Sequence, residues 1–231
     1  MDVNKDRYPS FGQNRLHNEN VRDILPHLPI DLGYFNVLSE LQAELSGRES
    51  GITAEQEYKI VTRVQYLNDL LLDIPEYYLA LEQAKRLPCE DQSDSWQNLL
   101  YGNNVRLSII LLNEGYPLPL HDCPSAAGAM LVLSGEVNLK QFCVLDANAE
   151  IHEAIIRLRQ QKDTSTSTGD VHIYNKILGT VYSLSSMTER SIILYVQVPP
   201  YAKRFRSCYF PITPMNQSTQ GFFVHRIKMM L

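Results

Sequence analysis

GYPLPLHDCPSAAGAMLVLSG, Gly115 to Gly135, is the stretch on which the fold turns. Pro117 and Pro119 exclude a helix at its start, the apolar run Met130 to Leu133 is a strand signal, and Gly135 ends it with a turn. The segment reads as a β-hairpin. On an extended chain residues i and i+2 share a face. His121 and Cys123 therefore point one way and Asp122 the other. An imidazole beside a thiol is a metal-ligating pair. It is equally a hydrogen-bonded histidine next to a small buried cysteine.

Strand signals continue on both sides of the hairpin. Val105 to Leu112 precedes it; Val137 to Val144, Val171 to Tyr174, Val181 to Leu184 and Ser191 to Val198 follow. Many short strands separated by Gly and Pro turns predict a sandwich or barrel. Residues 148–162 fit two patterns, since Ile151, Ile155 and Leu158 have helical spacing while Ile156 to Arg159 alternates like a strand. Thr164-Ser165-Thr166-Ser167-Thr168 reads as a polar connecting loop.

Upstream the period changes to that of helices. Phe35, Leu38, Leu41 and Leu45 form one stripe, and Gly47 follows as a stop. Thr53-Ala54-Glu55-Gln56 has the form of a capping box, ahead of Ile60, Val64, Leu67 and Leu71 at helical spacing up to Asp73. Pro75 opens a third helix towards Arg86, and Pro88 ends it. Three helices with one apolar stripe each predict a layer packed on the sheet. Residues 1–31, broken by Pro9, Pro26 and Pro29, read as an arm over the surface. The expected division is an arm and helices over 1–93, a barrel over 94–212 and a tail over 213–231.

Composition narrows the function classes. Of 231 residues 44% are hydrophobic and 20% charged, which suits a packed domain. A formal charge of −5 argues against a nucleic-acid surface, and the short basic run Lys203-Arg204-Phe205-Arg206 reads as a solvated loop. The N-terminus shows no apolar signal core, and no apolar run reaches the roughly 18 residues of a membrane span. A cytoplasmic protein without nucleic-acid or membrane partners is expected. Cys89, Cys123, Cys143 and Cys208 form no CxxC pair and are expected as free thiols. His17, His27, His152 and His225 lack companions at ligand spacing and read as surface residues.

The spacing Gly115-x5-His121-x-Cys123-x4-Gly128-x6-Gly135 resembles the first motif of the cupin superfamily. In that motif a Gly is followed by His-x-His, an acidic position and a closing Gly. HDCPSAAGAMLVLSG is similar to the corresponding segment of cysteamine dioxygenase and the plant cysteine oxidases, thiol dioxygenases in which the acidic position is replaced; here it is Gly128. GTVYSL, Gly179 to Leu184, resembles the later motif, and ILYVQVPPY, Ile193 to Tyr201, the strand ending in Pro-Pro-Tyr. The resemblance spans roughly residues 75–212. It implies a mainly β, cupin-type barrel with an N-terminal helical layer, and an iron site on three histidines. The first falls on His121, the second on Cys123 and the third on Tyr182. A His-Cys-Tyr set differs in charge and softness from three imidazoles. The resemblance thus implies a degenerate metal site, with no Fe(II) or weakly bound Fe(II). Tyr195, Cys208 and Tyr209 lie near the positions of the Cys–Tyr crosslinks of some members, without a safe correspondence. His172 is a displaced candidate ligand, although its neighbours Val171 and Ile173 predict an outward side chain by strand alternation.

Three functions follow. One is a divergent thiol-dioxygenase-like cupin whose iron chemistry is lost or altered, its barrel kept as a pocket for a small thiol or amino-acid ligand or as an interaction module. Another is an active metal-dependent thiol dioxygenase with a site rebuilt from His121, Cys123 and Tyr182. The third is a purely structural partner protein.

Overall fold

The computed structural model describes residues 32–45, 52–86, 95–101, 105–122, 127–145, 155–174, 181–198, 205–212 and 221–230. Three helices come first: α1 (Leu32–Leu45), α2 (Ala54–Leu72) and α3 (Pro75–Arg86). The predicted capping box starts α2. The Gln56 N–H donates to Thr53 Oγ1 at 3.3 Å, and the Thr53 N–H donates to Gln56 Oε1 at 3.0 Å. Two otherwise orphaned donors are thereby satisfied.

Eleven strands follow among the described residues, in two sheets. The first sheet comprises β1 (Ser95–Tyr101), β2 (Arg106–Asn113), β4 (Ala127–Ser134), β7 (Val171–Tyr174) and β9 (Arg190–Val198), in the spatial order β1-β2-β9-β4-β7. The second comprises β3 (Leu118–Asp122), β5 (Glu136–Val144), β6 (Ile155–Ser167), β8 (Val181–Ser186), β10 (Phe205–Pro211) and β11 (Phe222–Met230). It closes on itself in the order β10-β11-β6-β5-β8-β3. Gly135 makes the tight β4–β5 turn with φ of +83°, where a side chain would be strained and would also meet the Arg190 carbonyl. The expected mainly β fold with an N-terminal helical layer is the fold observed.

Strand alternation divides the apolar residues among three cores. Leu107, Ile109 and Leu111 of β2, Ala129 and Leu131 of β4, and Ile192, Leu194 and Val196 of β9 face the helices. There they meet Leu38 and Leu41 of α1 and Ile60, Val64, Leu67 and Leu71 of α2. The intervening residues turn inward between the sheets, where Ile110, Met130, Ile193 and Tyr195 meet Leu139, Tyr182 and Leu184. Inside the closed second sheet lies a third cluster, with Leu120, Phe142, Leu158, Val181, Tyr209 and Val224 drawn from six different strands. The first sheet is thus buried on both faces, so its strands read as continuous apolar runs. The α3 end is tied down by Arg190, whose guanidinium donates to the Ala84 carbonyl at 3.0 Å and to Asn113 Oδ1 at 3.1 Å. No described helix is long and apolar enough to cross a membrane.

Three expectations are corrected. Residues 222–230 are not a tail: they form β11, paired with β10 and β6, and Phe222, Val224 and Arg226 alternate inward. The barrel boundary therefore moves past 212. Thr164 to Ser167 is not a loop but the end of the long β6, paired with Leu139 through Glu136 of β5. β-branched Thr suits a strand, and this part of the ribbon is mostly exposed, so it carries no apolar signature. His172 points inward, because Val171 and Ile173 face the helices rather than the barrel interior. The arm at 1–31, along with Cys89, Cys123, Gly179 and the Pro199-Pro200-Tyr201 segment, lies outside the described residues.

Candidate functional site

β3 runs between β8 and β10, and this places the site. His121 is directly opposite Tyr182 on one side and Cys208 on the other. Directly opposed residues share a face. Leu118 also faces this interior although it is three residues from His121; the ladder shifts register between them. A β-bulge inserts one residue and restores the face. Leu120 and Asp122 consequently turn to the other side. His121 is fully buried, and Cys208 is buried as well.

Tyr182 packs edge-on against the imidazole, with ring centroids 4.2 Å apart. Its hydroxyl lies 2.7 Å from that of Tyr195, which also accepts from the Tyr174 hydroxyl at 2.5 Å. The Tyr174 and Tyr195 rings stack at 5.5 Å with an interplanar angle of 10°. Three phenols from β7, β8 and β9 therefore occupy the interior next to His121, joined by their hydroxyls. Gly128, opposite Tyr174 in the ladder, explains itself sterically. A Cβ there would overlap the Tyr174 hydroxyl and the Val196 carbonyl, so an acidic side chain at this position is excluded by volume; β3 and β4 lie in different sheets and do not pair as the expected hairpin.

The other sequence-selected residues are distributed as follows. Tyr195 stands in the tyrosine cluster. Tyr209 does not: it belongs to the third core, where its hydroxyl donates to Asp122 Oδ2 at 2.8 Å. Asp122 points away from the face of His121, as alternation requires. Cys123 lies outside the described residues. His172 shares the interior with the tyrosines, opposite Met130. Its Nε2 is 3.0 Å from Gln141 Nε2. The amide nitrogen can only donate, so the ring nitrogen accepts and the imidazole is neutral with its proton on Nδ1. Burial, and to a lesser degree the charge of Lys162, push the imidazolium down to about 3. Beneath it Met130, Val132, Leu139, Thr166 and Ile193 enclose a cavity of about 10 Å³, room for about one water molecule.

Among the described residues no three His, Cys, Asp or Glu side chains converge as metal donors. The donors described beside His121 are the Cys208 thiol and phenols engaged with one another. Sequence reasoning missed Tyr174, Gln141 and Gln197. Tyr174 was within reach, being two residues from His172 on the same strand face. Gln141 carries no motif, and Gln197 lies inside the ILYVQVPPY stretch without being singled out by it.

A family model described as PCO_ADO matches residues 66–228, more than half of the chain. No curated protein matches it. Among solved structures, one similar protein is an uncharacterized conserved protein with a double-stranded β-helix domain from Klebsiella pneumoniae. It is 18% identical, with a TM-score of 0.39, covering 51% of this chain and 87% of that one. A cupin superfamily protein from Desulfitobacterium hafniense is 13% identical, with a TM-score of 0.37 and the same coverages of 51% and 87%. The Cnp3 cupin domain of Schizosaccharomyces pombe is 10% identical, with a TM-score of 0.36, covering 46% and 61%.

Proposed function

The chain belongs to the cysteine/cysteamine dioxygenase family, and from that premise we propose that it is a divergent member whose iron-dependent thiol oxygenation is lost or altered, with the barrel kept as a small-ligand pocket or interaction module. The observation that carries this proposal is the position of Tyr182. It stands directly opposite His121, its ring lies against the imidazole at 4.2 Å, and its hydroxyl is held by Tyr195. A phenol is longer than an imidazole. The Tyr182 side chain extends across the space that a metal held by His121 would share with a substrate thiol.

The donor chemistry points the same way. The described residues around His121 do not fit a ferrous ion bound by three neutral imidazoles. Imidazole suits Fe(II), whereas a phenol donates well only as the phenolate. Here the hydroxyl sits within a chain of hydroxyls, closed off by buried apolar side chains.

Oxygen uptake tests the proposal. With cysteine or cysteamine as substrate and ferrous iron supplied, the protein is expected to show no thiol-dependent oxygen consumption above the metal-only background. Robust uptake that disappears in His121→Ala would overturn the proposal and establish a working site built on His121.

A further inference from the structure

Tyr209 of β10, Phe222 and Val224 of β11, and Ile156 and Leu158 of β6 turn into the closed second sheet. Alternation puts their neighbours on the opposite, outer face. These are Phe210, and Ile212 just past β10; Phe223, His225 and Ile227 of β11; and Ile155, Arg157 and Arg159 of β6. The ladders set them side by side. His225 lies directly between Phe210 and Ile155, and Phe223 is directly opposite Arg157. The Ile212 N–H donates to the Phe223 carbonyl at 2.9 Å, which extends that row across three strands.

This face is apolar and open. Ile155 is 65% exposed, Ile212 46%, Phe223 44% and Ile227 38%. Together they show on the order of 400 Å² of apolar surface, a patch of the size that is often functional. A standard interface takes about 800 Å² from each partner, somewhat over half of it apolar. The patch therefore supplies most of the apolar share that a stable dimer needs. Its composition fits as well. Aromatic residues and Arg are enriched at interfaces while Lys, Asp and Glu are depleted, and none of those three occurs among the described residues of this face. Because the sheet closes on itself, it offers no strand edge for pairing. A partner must pack against it face to face.

We propose that two copies of this chain pair through the outer face of β6, β10 and β11, about a two-fold axis running along β11. That axis lays β6 of each copy over β10 of the other. Ile155 then meets Phe210, and Arg157 meets Ile212 rather than a second Arg157. The charged rim, Arg157 and Arg159, is thereby kept from facing itself, and the patch is complementary to itself as an isologous contact requires. This goes beyond the ligand-pocket reading and does not depend on the fate of the iron chemistry.

Sedimentation velocity of the full chain over a dilution series tests the inference. At about 50 μM, above the micromolar end of what an interface of this size gives, a particle of twice the chain mass is expected. It is expected to dissociate on dilution. Phe223→Glu and Ile155→Glu are each expected to weaken pairing by about 100-fold or more, since the two-fold contact carries each substitution twice. Tyr66→Glu, on the exposed side of α2, is expected to leave it unchanged. Should Phe223→Glu fail to fold, Ile155→Glu decides alone, because that side chain stands mostly in solvent. A wild type that is monomeric at every concentration, or a dimer that survives both variants, overturns the inference. A monomer that dimerises only once residues 1–31 are deleted overturns it in favour of that arm as the occupant. A monomer that floats with phosphatidylserine vesicles overturns it in favour of a lipid surface.

Discussion

Replacing His172 by Gln should flatten the acid side of the stability curve. The imidazole is buried, neutral and bound to Gln141, with its protonation pushed down to about 3. In the unfolded chain it titrates near 6.5. The folded form therefore resists a proton that the unfolded form accepts. A depressed folded pKa of this kind contributes stability above pH 6.5 that is lost as pH falls towards 3. Between pH 7 and pH 5 the loss from this one group is about 2 kcal/mol, or about 4–8 °C in Tm for a chain of this size. His172→Gln keeps a hydrogen-bonding partner for Gln141 and removes the titration. Urea unfolding at pH 7, 6 and 5 should show the wild type losing about 2 kcal/mol more than the variant over this range. Parallel curves, or an imidazole titrating near 6.5 by NMR in the folded protein, would refute the inward placement of His172.

Leu67→Ala, in the fully buried stripe of α2, should cost about 2–5 kcal/mol and lower Tm by about 5–15 °C by thermal denaturation. A truncated chain starting at Asp94 should associate on gel filtration, since the face carrying Leu107, Ile109 and Leu194 would be uncovered; a stable monomer would contradict the helical layer's role. Gly128→Ala should destabilise by about 1–3 kcal/mol in urea, partly recovered by Tyr174→Phe, because one overlap is with the Tyr174 hydroxyl and the other with a backbone carbonyl.

Much of the fold was legible because local signals agreed with it. Thr53 and Gln56 announced the start of α2, and Ile60, Val64, Leu67 and Leu71 announced its buried face. What was misread follows from one physical circumstance. Alternation tells which residues share a face but not which face is the interior, and the first sheet is buried on both. His172 was therefore assigned outward for having apolar neighbours, when those neighbours were covered by α2. The sequence shows β6 only in part, through the alternation at Ile156 to Arg159, and does not show β11, since their outward positions are polar or mixed and only Ile156, Leu158, Phe222 and Val224 mark the inner face. At the site, the pairing of His121 with Tyr182 was reachable through motif spacing. The placement of Tyr209 was not, because a one-residue difference from Cys208 decides between two cores on opposite sides of the same strand.

The central claim is that the position opposite His121, held by Tyr182, no longer serves a ferrous centre. Iron content after anaerobic incubation with ferrous salt and desalting tests it most directly, in the wild type, in His121→Ala and in a Cys123→His, Tyr182→His double variant. The account predicts far less than stoichiometric iron in the wild type, no further loss in His121→Ala, and a marked gain in the double variant. Stoichiometric iron in the wild type, removed by His121→Ala, would contradict it.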